Sequence, residues 1–168
     1  PSIPQFLLGV EKGMDHSFSS ISDGSDMKEI RIALIGKGGM GTADTNTALS
    51  VGGVKLVAVC DLYDARLKLA KEQWGDHLFV TKDFQDILRR KDVDVVLIGT
   101  PDHWHQPIAI AAMKAGKHVY CEKPVIHKIE EGRELVDAQR ASGSYFQTGS
   151  QGMASLGNRK ARQLVQAG

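Results

Sequence analysis

Three glycines and one aspartate are the residues of this sequence whose types and spacing point most directly to chemistry. Gly36, Gly38 and Gly41 fit the pattern G-x-G-x-x-G between an apolar run and a segment expected to be helical, and Asp61 ends the next apolar run, 20 residues after Gly41. In a strand–turn–helix unit such glycines cradle a diphosphate, while the acid accepts hydrogen bonds from the adenosine ribose. The predicted phosphate-binding residues are Gly36, Gly38, Gly39, Met40 and Gly41.

Each of the three spaced glycines has its own predicted task. Gly36 permits a sharp turn after the strand, Gly38 leaves the backbone open to a diphosphate, and Gly41 lets the helix pack tightly on the strand. Free amides at the helix start and the helix dipole attract the anion. The alternative is a tight glycine turn with a solvated acid, but the strand–turn–helix context favours a dinucleotide.

Asp61 also bears on the choice of cofactor. A phosphate on the 2′ oxygen of the ribose would meet its carboxylate, and Arg66, the nearest arginine, is expected further into the next helix. The sequence therefore predicts NAD rather than NADP.

Composition excludes several classes of protein. The 168 residues have a net charge of +1 with scattered basic residues, which argues against a nucleic-acid or membrane surface. No apolar run approaches membrane length. The two cysteines form no disulfide framework or zinc pattern, and His103-x-His105 lacks a fitting acid or cysteine partner, so no metal site is predicted.

The chain divides into a tail or arm at residues 1–28 and one domain at 29–168. The tail is rich in Ser, Asp and Gly near its end, which is typical of a linker or loop. It is either a disordered lead-in or an arm packed on another domain or subunit.

From residue 30, apolar runs and helical patterns alternate, which predicts an α/β fold with a doubly wound parallel sheet. The predicted strands are 30–35, 54–60, 78–80, 93–98, 118–121 and 145–148. The predicted helices are 39–50, 63–74, 84–90, 108–115, 129–141 and 158–167. The expected strand order is 3-2-1-4-5-6. It separates Cys60 from Cys121 by roughly 14 Å, three strand spacings, so both are predicted to be buried free thiols.

Two further segments converge at the carboxyl ends of the strands, where this fold binds ligands. Thr-Pro-Asp-His-Trp-His at 100–105 follows strand four, and Cys-Glu-Lys-Pro at 121–124 follows strand five. These segments resemble the two signatures of the glucose–fructose oxidoreductase / inositol dehydrogenase / MocA (Gfo/Idh/MocA) family, over about residues 29–168. The resemblance implies a Rossmann domain and hydride transfer between NAD(P) and a sugar, cyclitol or related polyol.

The resemblance also implies roles for single residues. Lys123 matches the lysine that hydrogen-bonds the reacting hydroxyl, where its charge stabilises a developing alkoxide; the alternative is a solvated loop lysine. Pro124 holds the following turn, in many members through a cis bond. Further cofactor contacts are implied for Thr100, Pro101, His105 and Glu122. Gln151 and Trp104 are implied as substrate-binding residues, although Trp104 is equally compatible with packing.

Members of this family continue into a second domain that supplies the substrate pocket and a catalytic histidine. On this resemblance that domain is expected to lie outside this chain, which alone should bind dinucleotide and turn over substrate poorly. The resemblance further implies a homo-oligomer assembled through the missing domain.

Two other classes of function stay open: a glycosidase that oxidises its substrate transiently with bound NAD, and a non-catalytic dinucleotide-binding module. Lys123 argues against the second, because a sensor needs no alkoxide stabiliser. The default location is cytoplasmic. The alternative is the periplasm, since some relatives are exported behind a twin-arginine signal and a removed signal leaves such a tail.

Overall fold

The computed structural model describes residues 29–168, apart from the side chains of residues 153 and 154. The predicted tail at 1–28 lies outside the described residues.

Six parallel strands form one sheet in the order β3-β2-β1-β4-β5-β6, which confirms the predicted doubly wound Rossmann topology. The strands are β1 Ile30–Ile35, β2 Val54–Cys60, β3 Phe79–Thr81, β4 Val95–Ile98, β5 His118–Glu122 and β6 Phe146–Gly149. The order reverses between β1 and β4, and a crevice opens outside the carboxyl ends of the strands at such a switch point.

The helices of the described part are α1 Gly39–Leu49, α2 Asp64–Trp74, α3 Phe84–Arg89, α4 His105–Lys114, α5 Glu131–Ser142 and α6 Leu156–Ala167. Short 3₁₀ turns at Asp102–Trp104 and Gln151–Ala154 precede α4 and α6. The prediction that the fourth helix begins at residue 108 was wrong, because Pro107 is tolerated in the first turn of a helix and does not delay its start.

Capping residues begin or end several of these helices. The Asp83 carboxylate accepts a hydrogen bond from the Gln85 amide at the start of α3. Gly143 ends α5 in the left-handed region with φ of 66°, and Gly116 follows α4 with φ of 75°. Only glycine adopts these conformations without a steric cost, so both positions stop their helices cleanly.

Both faces of the sheet are buried, as a parallel sheet between two helical layers requires. Along β1, Ile32 and Leu34 pack into one apolar cluster while Ala33 and Ile35 pack into the other. Cys60 and Cys121 are buried and free, and β1 and β4 lie between their strands, which confirms the prediction of separate thiols. Within residues 29–168, no helix combines the length and the apolar character needed to cross a membrane.

Candidate functional site

A cleft of about 390 Å³ opens at the carboxyl ends of β1, β2 and β4. Its walls are the turn after β1, the end of β2 and the loop after β4. The lining residues that matter most are Gly36, Asp61, Tyr63, Arg66, Thr100 and Trp104.

The glycine turn between β1 and α1 leaves no space for side chains at two of its positions. Gly36 has φ of 94°, and a Cβ there would lie 2.7 Å from the backbone of Gly99 and Thr100. A Cβ on Gly41 would overlap the Gly36 carbonyl oxygen. The loop after β4 packs equally closely against the start of α1, since a Cβ on Gly99 would lie 2.8 Å from the Cα of Gly41. The turn, the start of α1 and the loop after β4 therefore pack backbone against backbone.

Gly38 and Gly39 differ from these glycines because open space surrounds them. The nearest atom to a Cβ on Gly38 is the Gly99 carbonyl oxygen at 3.9 Å, and nothing lies within 4 Å of one on Gly39. Gly38 precedes α1 as its cap residue and provides no side-chain cap. The first amides of α1 are thus left for an outside acceptor, as a diphosphate site requires.

Asp61 is 6% exposed and is fixed by three donors. Its Oδ2 accepts from the Lys37 amide at 2.8 Å, and its Oδ1 accepts from the Tyr63 amide at 3.0 Å. The third donor corrects the expectation that Arg66 stands away from this acid, because Arg66 Nη1 lies 3.3 Å from Oδ2. Arg66 belongs to the first turn of α2, where its long side chain folds back to the strand end. The spacing of five residues between Asp61 and Arg66 was the sequence signal that could have predicted this ion pair.

The wall of the cleft near Asp61 is aromatic. Trp104 packs against Phe84 with ring centroids 6.3 Å apart, and the Arg66 guanidinium lies 5.0 Å from the Tyr63 ring centroid. Trp104 thus lines the same cavity as Asp61, so its geometry favours packing and cofactor contact. Its predicted contact with substrate stays a prediction.

A cluster of polar side chains lies on the other side, between α1 and β5. The Gln151 amide nitrogen lies 2.5 Å from Glu122 Oε1, 3.0 Å from Asp44 Oδ1 and 3.0 Å from Tyr120 Oη, and it shares its two hydrogens among these three acceptors. Glu122 is 4% exposed, and a Cβ on Gly149 would overlap its carboxylate. The predicted residues Glu122 and Gln151 are therefore brought together. Asp44 and Tyr120 were missed, because no sequence pattern links α1 to β5.

Burial raises the pKa of Asp44, and the neighbouring Glu122 carboxylate raises it further, while the Gln151 hydrogen bond lowers it. Burial together with the same two acids raises the pKa of Tyr120 to about 12. Because like charges and low dielectric both disfavour the ionised carboxyl, Asp44 loses its proton at a higher pH in the folded protein than in the unfolded chain.

We expect Asp44→Asn to stabilise the fold at pH values above the ordinary range of aspartate. The folded protein keeps a proton on Asp44 that the unfolded chain has already lost, so the free energy of unfolding falls as pH rises from the ordinary pKa through the raised folded pKa. Asparagine has no such titration and should flatten the profile, as denaturant unfolding at a series of pH values would measure. Asp137→Asn, at an exposed acid of α5, is the matched control. A variant less stable than wild type at neutral pH would contradict the argument.

Lys123 and His105 lie near the same turn after β5, but Lys123 is exposed and His105 is buried. Lys123 is exposed directly after β5, and the Lys123–Pro124 bond is cis. His105 is 2% exposed, with Nδ1 2.6 Å from the Pro124 carbonyl oxygen and Nε2 2.8 Å from the Thr100 carbonyl oxygen. His105 therefore joins the loop after β4 to the turn after Lys123, and its predicted contact with the nicotinamide stays a prediction.

The residues present fit a dinucleotide on several observations. Space is open above Gly38, the amides of α1 are uncapped, and a fixed carboxylate stands at the end of β2. The Thr100 hydroxyl is buried without a hydrogen-bond partner in the described part of the chain. Buried polar groups usually have a partner, so a bound ligand could supply this one. Among residues 29–168, no three side chains of His, Cys, Asp or Glu are grouped so as to hold a metal ion.

A doubly wound sheet with a glycine turn at its switch point and an acid ending β2 defines a dinucleotide-binding Rossmann domain. A model of the Gfo/Idh/MocA oxidoreductase family, described as an NAD-binding Rossmann fold, matches residues 30–150. The chain belongs to this family.

Curated and solved relatives agree with this assignment. A glycosyl hydrolase family 109 protein of Solibacter usitatus is 37% identical over 124 residues, which cover 67% of this chain and 28% of that protein. The scyllo-inositol dehydrogenase of Lactobacillus casei, solved with NAD(H) and scyllo-inositol, is 33% identical with a TM-score of 0.77. The myo-inositol 2-dehydrogenase of Lactobacillus plantarum is 30% identical with a TM-score of 0.77. Each structural match covers 84% of this chain and 42% of the other, so the chain spans less than half the length of all three relatives.

Proposed function

We propose that this chain is the cofactor-binding part of an NAD-dependent oxidoreductase that moves a hydride to or from a hydroxyl-bearing carbon of a sugar, cyclitol or related polyol. The observation that carries the proposal is the pairing of an open phosphate turn at Gly38 with a fixed ribose acceptor at Asp61. The similarity to the two inositol dehydrogenases supports the class of substrate.

In this proposal some residues of the chain bind the cofactor and Lys123 takes part in the chemical step. The uncapped amides of α1 hold the diphosphate, and Asp61 accepts from the adenosine ribose. The bound nicotinamide supplies a hydride acceptor. Lys123, exposed after β5, donates a hydrogen bond to the reacting oxygen, which gains negative charge as its proton passes to a base in the remainder of the longer protein and becomes a neutral carbonyl oxygen once the hydride has left the carbon. The substrate pocket belongs to the remainder of a longer protein.

A second candidate is a glycosidase that oxidises its sugar transiently and restores the cofactor in each cycle. The similarity to a protein named glycosyl hydrolase family 109 specifically favours it. The same phosphate turn, Asp61 and Lys123 would act in both reactions, so the two candidates differ in net chemistry and in the pocket outside this chain.

The test uses the longer protein that contains this chain. Absorbance of NADH is followed with a panel of inositols and aldoses, and release of the aryl group is followed with aryl glycosides. Net formation of NADH from a polyol supports the dehydrogenase. Release of the aryl group without net NADH supports the glycosidase. A protein that binds neither NAD nor NADH contradicts both.

We expect NAD to bind more tightly than NADP, and Arg66→Ala to widen the difference. The Asp61 carboxylate is buried and held by two backbone amides, so it cannot turn away from a 2′-phosphate and repels its negative charge. Arg66 beside it partly offsets that repulsion. Removing one charge-assisted hydrogen bond should weaken NADP by about tenfold and NAD much less. Dissociation constants for both cofactors measure the effect.

The matched control for the cofactor experiment is Arg162→Ala, an exposed arginine of α6 that does not line the cleft. It should leave both dissociation constants unchanged. Tighter binding of NADP by the wild-type protein would overturn the preference, and an equal loss for both cofactors in Arg66→Ala would assign Arg66 to general binding.

A further inference from the structure

His105 is a buried histidine whose two ring nitrogens both face backbone carbonyl oxygens. Nδ1 lies 2.6 Å from the oxygen of Pro124, and Nε2 lies 2.8 Å from the oxygen of Thr100. The side chain is 2% exposed, so water does not take the place of either partner.

The chemistry of the two partners restricts the hydrogens on the ring. A carbonyl oxygen accepts hydrogen bonds and never donates one. In either neutral tautomer, one ring nitrogen has a lone pair, which would point at an oxygen lone pair within hydrogen-bond distance. Only the ring with hydrogens on both nitrogens satisfies both contacts.

The two carbonyls belong to separate loops of the candidate site. Thr100 follows β4 and lines the cleft, whereas Pro124 directly follows Lys123. His105 is the first residue of α4 and bridges them. The bridge therefore ties the turn that presents Lys123 to the wall of the cofactor cleft.

We propose that His105 is a positioning residue, and that its doubly protonated ring donates to Thr100 and Pro124 and thereby fixes the turn of Lys123. The kinetic consequence rests on the proposed function, because it concerns Lys123 as the group that meets the reacting oxygen. The hydrogen count on the ring is independent of that function.

The surroundings of His105 offer no competing partner for the ring in the described structure. Titratable residues on the turn before α4 and on the neighbouring α3, β5, β5–α5 connection and α5 include Asp102 and His103, Asp86 and Arg89, Cys121, Glu122 and Lys123, His127, and Glu134. None of them forms an ion pair with His105 within residues 29–168; for example, Glu134 accepts from Gln106 and Asp102 lies near His127.

Burial and the positive end of the α4 dipole both act against a charged ring at this place. Two short charge-assisted hydrogen bonds act in its favour, and the ring keeps both protons only if these two bonds together outweigh the cost of burial and the dipole effect. The bridge thus depends on both carbonyls at once. Loss of one proton from the ring would leave one loop without its donor.

The first test is nitrogen NMR of the protein labelled with ¹⁵N at histidine, at neutral pH, with His105 assigned from its absence in His105→Asn. Two protonated ring nitrogens are expected for His105. A ring with one unprotonated nitrogen under these conditions would overturn the proposal, whatever the activity of the protein.

The second test measures NAD affinity and kcat in the longer protein. His105→Asn has a single donor nitrogen and cannot reach both carbonyls, so kcat should fall by about 100-fold, as expected for a misplaced reacting group, while the NAD dissociation constant stays within a few-fold of wild type. His77→Asn, at an exposed histidine outside the cleft, is the matched control and should change neither value.

The outcomes separate this proposal from the proposed function. Normal NAD binding with an unchanged kcat in His105→Asn would refute positioning by His105 and leave the function intact. If the wild-type protein does not bind NAD, the proposed function is refuted. The NMR result would then decide by itself whether the His105 ring donates to both carbonyls. If His105→Asn fails to fold, His105→Gln and the NMR of the wild-type protein decide instead.

Discussion

Lys123→Met in the longer protein should lower kcat for hydride transfer by about 100- to 1000-fold, the usual effect of removing one donor that stabilises a developing oxyanion. The ground-state alcohol is neutral and the transition state carries negative charge, so the ammonium group stabilises the second far more than the first. The loss should therefore fall on kcat and leave the NAD dissociation constant almost unchanged. Methionine keeps the length and the apolar stem of lysine, and position 123 is exposed, so the fold should tolerate it.

Lys128→Met is the matched control for this experiment. Lys128 is also exposed and lies five residues further along the same connection between β5 and α5. It should retain the kcat of wild type. If Lys123→Met works within a few-fold of wild type, Lys123 is not the alkoxide stabiliser and the remainder of the protein must handle the proton.

Gly38→Val should abolish NAD binding while the protein stays folded. A Cβ on Gly38 meets only the Gly99 carbonyl oxygen at 3.9 Å, so a branched side chain fits the protein but fills the space above the amides of α1. That is the space a diphosphate needs. Titration of NAD followed by tryptophan fluorescence or calorimetry measures the loss, and thermal unfolding without cofactor measures the fold.

Gly52→Val is a fair control, because a Cβ on Gly52 also meets nothing within 4 Å and the residue lies in the turn between α1 and β2. It should bind NAD as wild type does. Normal NAD affinity in Gly38→Val would mean that the phosphates are bound somewhere other than this turn.

The sheet was predictable because each strand has an apolar run and each crossover a helical pattern, and because topology rules leave few ways to wind parallel strands. Helix starts were harder. The start of α4 at His105 lies before Pro107, and a proline in the first turn is indistinguishable in sequence from one that blocks a helix.

The candidate site also contains features that could be predicted from the sequence and features that could not. The close packing expected at Gly36 and Gly41 is observed, since it follows from local backbone geometry. The space around Gly38 is open, and its contact with a diphosphate stays a prediction. Contacts between distant segments were not predictable. Gln151 and Asp44 are 107 residues apart in the chain, and only the packing of α1 beside β5 brings them together.

The close approach of Gly36, Gly41 and Gly99 has a consequence for protein engineering. The phosphate turn and the loop after β4 touch through their backbones, and a Cβ on Gly36 or Gly99 would intrude on the opposite loop. A graft of residues 36–41 onto another Rossmann scaffold would therefore fail wherever the residue after the fourth strand carries a side chain. The transferable unit is a discontinuous pair of segments, and cofactor exchange by loop transplantation must move both of them together.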